Sequence, residues 1–152
     1  MAEQALEKAV REIVTVLRTV SPFTNSNQVP LNPTSVQSYS TFAVVYPYTG
    51  SIDTGPTGSR KALHNIAIDV LTKNMDLARA LESTKPLVDT VPLALLREVS
   101  FDSDSNPGQQ FNNSISTFAR ITYQFIPQGD YGGVPVIGYH FAMEDVKILV
   151  NL

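Results

Sequence analysis

ISTFARITYQFI (residues 115–126), PQGDYGGV (127–134) and PVIGYHFAMEDVKILV (135–150) decide how this chain folds. Apolar and polar side chains alternate through the first and third stretches, and a period of two places successive side chains on opposite faces of a strand. In 115–126, Ile115, Ala119, Ile121, Tyr123 and Phe125 share one face, and Phe118, Thr122 and Ile126 share the other. In 135–150, Ile137, Tyr139, Phe141 and Met143 share a side, and Glu144-Asp145 marks a bend. Between them, Gly129, Gly132 and Gly133 make 127–134 a turn.

Working toward the N-terminus, Glu98 to Phe101 reads as a short strand, and 102–113 as a polar loop turning at Asn106-Pro107-Gly108. Residues 60–71 form a further strand. Ala62, His64, Ile66, Ile68 and Val70 make its buried face; Leu63, Asn65, Ala67, Asp69 and Leu71 make a mixed one. Tyr39 to Tyr46 is another strand, closed by Pro47 and Gly50, and 51–59 is a hairpin-like loop rich in turn residues. Two segments switch to a period of 3.6. In 3–19, Leu6, Val10, Ile13 and Leu17 fall on one helical face, with Glu3 early and Arg18 late, the order that complements the helix dipole. In 76–90, Leu77, Leu81, Thr84, Val88 and Val91 keep the helical spacing. Pro86 and Pro92 kink or split that element, with Thr84 as a cap for the restarted helix. Residues 21–38 hold Pro22, Pro30 and Pro33 and read as a long loop or an extended arm. The order predicts one α+β domain over 1–152: a mostly antiparallel sheet of about four to five strands, with the N-terminal helix and a second helical segment on one face.

The chain has 152 residues, 43% of them hydrophobic, enough for a core without disulfides. It has no cysteine, which excludes thiol nucleophiles and cysteine-ligated metals. Net charge is −3 and charged residues are only 16%, with basic residues scattered, so there is no stripe for gripping nucleic acid. No apolar run approaches the ~20 residues of a membrane span. Glu3, Glu7 and Glu12 stand where a secretory leader would be basic, so none is expected. So low a charge leaves Ser, Thr, Asn and Gln, or neighbouring copies, to cover the surface.

Signals for chemistry are weak. His64 and His140 both lie inside strands. Asp69 is on the opposite strand face from His64, and Glu144 is roughly 13 Å along an extended strand from His140. Asp102-Ser103-Asp104-Ser105-Asn106 begins like a calcium loop, but Pro107 and Asn113 stand where the loop needs Gly and Glu. The glycines of 50–61 lack the Gly-Lys-Ser/Thr order of a phosphate loop. No Gly-x-Ser-x-Gly elbow occurs. No catalytic, cofactor or metal residues are therefore assigned, and the chain is expected not to be an enzyme. His64 or Glu144 meeting Asp69 or Arg120 in a polar pocket would instead favour a small hydrolase or ligand-binding domain.

The segments 118–125 (FARITYQF), 130–141 (DYGGVPVIGYHF) and 146–148 (VKI) resemble the tail terminator proteins of long-tailed, non-contractile-tail phages and their minor tail and neck relatives. The N-terminal helix and the 61–71 strand followed by the 76–96 helical region are similar too. The resemblance implies a hexameric ring that caps the tail tube, ends its polymerisation and offers a head–tail joining surface. Its partners would be copies of itself, the tail tube protein and a head–tail connector or neck protein. DNA would pass through the lumen without specific binding, in a virion tail assembled in the host cytoplasm, with no membrane and no cofactor. A neck, head-completion or tail-tube protein of the same virion is the alternative. Candidate interface residues are Tyr48, Tyr131 and Tyr139, with Asp53 and Arg60 in the 50–60 loop and Asp104 in the 102–113 loop. Tyr46 and Tyr139 also fit as plain sheet or core residues.

Overall fold

The computed structural model describes residues 5–23, 25–32, 39–54, 60–73, 76–98 and 115–148. In chain order these are helix α1 (Ala5–Leu17), a 3-10 turn (Ser26–Gln28), strands β1 (Thr41–Thr54) and β2 (Arg60–Lys73), helices α2 (Leu77–Thr84) and α3 (Leu87–Glu98), and strands β3 (Ile115–Thr117), β4 (Arg120–Tyr131) and β5 (Val134–Ile148). The sheet order is β1-β2-β5, with β3 and β4 lying end to end along the free side of β5. The sheet is thus four strands wide, antiparallel throughout, and the predicted α+β class holds.

Strand register sorts the side chains into two faces. Val45, Ile68, Phe141 and Tyr123 form one row, and Ala43, Val70, Tyr139 and Phe125 the next. These rows face the helices. Ile13 and Leu17 of α1 and Leu87, Val91 and Leu95 of α3 close the core over Ile66, Ile68, Phe141 and Met143. Burying each such side chain contributes about 1.5–3 kcal/mol, and Phe141→Ala is expected to cost about 3–5 kcal/mol. The predicted faces of α1 and of 60–71 are as expected. In the second helical segment the buried line is Ala80, Thr84, Leu87, Val91 and Leu95, while Leu77 is exposed and Leu81 half-buried.

That segment is split at Lys85-Pro86, as the first proline predicts, whereas Pro92 lies inside α3 and does not divide it. Pro86 has no N–H to continue the ladder; its carbonyl instead accepts from Asp89 and Thr90 at the start of α3. Thr84 does not cap the restart. Its Oγ1 donates back to the Ala80 carbonyl (2.6 Å). Asp76 caps the first of the two helices, accepting from the Arg79 N–H at the start of α2 (3.0 Å). Glu98, expected to open a short strand, closes α3; residues 99–101 lie outside the described residues.

Both prolines read as strand terminators are corrected. β1 runs through Pro47 to Thr54, and β4 runs through Pro127 to Tyr131. Each proline sits on an edge strand at a register shift, Pro47/Thr49 in one and Ile126/Gly129 in the other. An edge strand with a bulge tolerates the missing donor. The turn after β4 therefore shrinks to Gly132-Gly133, both at positive φ (59° and 86°), the geometry of a tight two-residue hairpin. The expected bend at Glu144-Asp145 is a bulge on β5. Asp145 adopts φ 56° and donates its N–H to Asn65 Oδ1 (3.0 Å). The predicted single strand 115–126 is interrupted at Phe118-Ala119. Phe118 consequently packs toward the helix-side core and not on the opposite face.

Of the segment read as a long loop or arm, Phe23 and Val29 are wholly buried in the helix-side core. Arg18 Nε donates to the Val29 carbonyl (3.1 Å), and Gln28 Nε2 donates to the Thr41 carbonyl (3.1 Å). Residues 24 and 33–38 lie outside the described residues.

Candidate functional site

The sheet face opposite the helices carries two distinct patches. At one end Phe42, Val44, Leu71 and Val136 form a small apolar cluster, with Ile126 and Tyr131 packed against it. The Tyr131 ring lies 5.0 Å from that of Phe42, and burial pushes its hydroxyl pKa up. The close packing depends on Gly138: a Cβ there would run into the Val70 carbonyl on the neighbouring strand.

Beside that cluster the face turns polar. Asp69 on β2 stands directly opposite His140 on β5 and Val44 on β1. Its Oδ1 accepts from His140 Nδ1 (2.5 Å), and its Oδ2 accepts from the Tyr46 hydroxyl (2.8 Å). Burial, then the hydrogen bond to Asp69, then the charge of that carboxylate raise the Tyr46 hydroxyl pKa well above its ordinary value. Tyr48, the extra residue of the β1 bulge, sets its ring edge-on to His140 at 6.2 Å. Asn65 Nδ2 donates to Thr49 Oγ1 (2.7 Å) further along the same face. The network ties three strands together through one carboxylate. Chemically, Asp69 orients an imidazole, but the hydroxyl in reach, that of Tyr46, is held protonated, the opposite of what a nucleophile requires.

The edges of the sheet are the other prominent surface. Among the described residues, β1 pairs only with β2, and β3 and β4 pair only with β5. On the helix side of the β1 edge lies a notch of about 460 Å³, walled by Leu6 and Val10 of α1, by Leu31, and by Val45 and Pro47 of β1. Leu31 is 42% exposed there. On the opposite edge, Tyr123 projects from β4 on the same side of the sheet and is 60% exposed, with its ring edge near Tyr139 and Phe141.

No protein-family model matches the chain, and no curated protein matches it.

The residues singled out from sequence are spread over the fold. Tyr48 is 45% exposed on the polar face. Tyr131 is half-buried against Phe42. Tyr139 is only 8% exposed and belongs to the helix-side core, a position that presents little surface to a partner. The backbones of Asp53 and Arg60 pair with Lys61 and Thr54 at the tip of the β1–β2 hairpin, while their side chains and all of Asp104 lie outside what is described. Glu144 does meet Arg120 (2.8 Å), but as a cross-strand pair on the sheet edge, with the Arg120 side chain 63% exposed. Such a pair contributes little. His64 faces Gly50 and Val146 across the strands, and not Asp69. Among the described residues no three His, Cys, Asp or Glu side chains converge as a metal site, and no helix is long and apolar enough to cross a membrane.

Sequence reading missed the Tyr46–Asp69–His140 network and Tyr123. The first was hidden because Asp69 and His140 are seventy-one positions apart, and only strand register sets them opposite. A hint was present: each is a polar residue in the middle of an otherwise apolar strand, where an unpartnered charge is costly.

Proposed function

We propose that this chain is a structural virion protein of the tail-terminator kind, acting through its surfaces as a ring that caps a tail tube and offers a joining surface to the head. The observation that carries the reading is the pair of sheet edges, β1 and β4, that have no further strand beside them among the described residues. Because the sheet is four strands wide and antiparallel throughout, β1 and β4 run in opposite directions. A second copy placed head to tail can therefore set its β4 beside β1 and continue the antiparallel order. Repeated around an axis, that contact is heterologous, and where the rotation closes it gives a ring with no unpaired edge. α1 and α3 pack on one face of the sheet, and a ring closed with that face outward would place them outside. The polar face with Tyr46, Asp69 and His140 would then line the lumen. That lining is hydrogen-bonding, as passage of DNA without tight binding requires.

The proposal extends to a hexamer, to the tail tube protein and a connector or neck protein as partners, and to a non-enzymatic role. Native mass spectrometry and negative-stain imaging of the purified chain, alone and with tail tubes, test it. One closed sixfold ring that does not stack is expected. Indefinite stacking would make it a tube component. A chain that stays monomeric at every concentration and leaves tube ends bare would end the reading.

A further inference from the structure

The geometry points to the notch beside β1 as the seat of Tyr123 from a second copy of this chain, an inference that rests on the ring reading above. A strand added to the β1 edge must place every second side chain on the helix side of the sheet. Over most of a sheet that space is already filled by helices. At Val45 and Pro47 it is open: the notch lies there, floored by β1 and walled by Leu6, Val10 and Leu31 together with the polar Glu7 and Asn32.

The opposite edge carries a side chain suited to it. Tyr123 stands in the same row as Val45, through Ile68 and Phe141, and on the same side of the sheet. When β4 of one copy continues the sheet beside β1 of the next, Tyr123 arrives at Val45, or two residues along at Pro47 if the strands shear as barrel closure demands. Both residues line the notch. A tyrosine seated there buries roughly 150–250 Å², a small part of the roughly 1,200–2,000 Å² of a stable contact. The strand edges supply the remaining area, and the knob sets register, which a bare edge leaves free to slip. A β1–β1 pairing between two copies is the competing use of this edge. It brings two notches together with no comparable knob to fill them.

The chain has no cysteine, so an engineered pair reports cleanly. Tyr123 and Pro47 lie on opposite edges, three strand spacings across the sheet and two residues along it, roughly 16 Å apart within one copy, too far for a disulfide. In the Tyr123→Cys, Pro47→Cys double variant, mild oxidation is expected to give a ladder of covalent multimers ending at the ring size, while each single variant stays monomeric under denaturing conditions. Tyr123→Ala is expected to raise the concentration for half-assembly at least roughly tenfold, and Tyr123→Phe to leave it near the parent value. Covalent dimers from Pro47→Cys alone would show β1 meeting β1 and overturn the inference. So would Tyr123→Ala rings forming at the parent concentration, an outcome that leaves the ring reading standing. A parent chain that never assembles would remove both.

Discussion

Replacing Asp69 by Ala removes the shared acceptor of the Tyr46 hydroxyl and of His140 Nδ1 in one step. Hydrogen bonds to an ionised group contribute about 1.5–3 kcal/mol each, so two in a dry site would contribute about 3–6 kcal/mol. The site is not dry. The His140 side chain is 32% exposed and that of Asp69 16%, and Tyr46 lies on the open face. Water can replace part of what is lost, and roughly half is retained as net cost, about 1.5–3 kcal/mol. For a chain of this length each kcal/mol moves the melting temperature by about 2–4 °C, so a fall of about 3–12 °C is expected. Thermal and urea unfolding at pH 7, at fixed protein concentration because any assembly would add stability, measure it. Tyr46→Phe alone should cost about 0.5–1.5 kcal/mol, and adding it to Asp69→Ala should cost less than the sum, since the two share one bond. If Asp69→Ala unfolds within about 0.5 kcal/mol of the parent, the scale of an ordinary surface change, the three-strand tie contributes nothing to stability.

The raised Tyr46 pKa gives an alkaline signature. The unfolded chain releases that proton near pH 10.0 and the folded chain only above it, so stability is complete below pH 10 and falls as pH rises beyond. Melting curves across that range should fall more steeply for the parent than for Tyr46→Phe, and equal slopes would contradict the assignment. Gly138→Ala forces a Cβ onto the Val70 carbonyl between two central strands; a loss of about 1–3 kcal/mol is expected, and a variant as stable as the parent in urea would show that the strands can part at no cost. Tyr48→Ala should leave the monomer folded by circular dichroism. Tyr131→Ala should also destabilise it by about 2–4 kcal/mol, because its ring packs on Phe42; equal stability of the two variants would refute that distinction.

Much of the fold was legible. Alternation marked β2, β4 and β5, and the 3.6-residue period marked α1, because each element buries one face and its pattern records which. The split at Pro86 was legible because proline removes a helical donor, but the same rule overstated Pro92, which lies inside α3 without dividing it. The same reasoning failed at Pro47 and Pro127. A strand at a sheet edge has one side that needs no partner, and a bulge absorbs the misfit. Whether a strand is an edge is a property of the sheet, not of the strand.

What the chain determines by itself is therefore local and periodic: which residues form helices and strands, which face of each is apolar, and that one α+β layer pair can bury them. Strand order, register and the identity of the edges were settled only in three dimensions. They depend on pairings between residues far apart in sequence, such as Asp69 with His140 and Val45 with Ile68, Phe141 and Tyr123. The side-chain period of a strand repeats every two residues, so the pattern is the same for many registers. Packing across the whole sheet selects one of them, and with it the polar network, the notch and the identity of the edge strands.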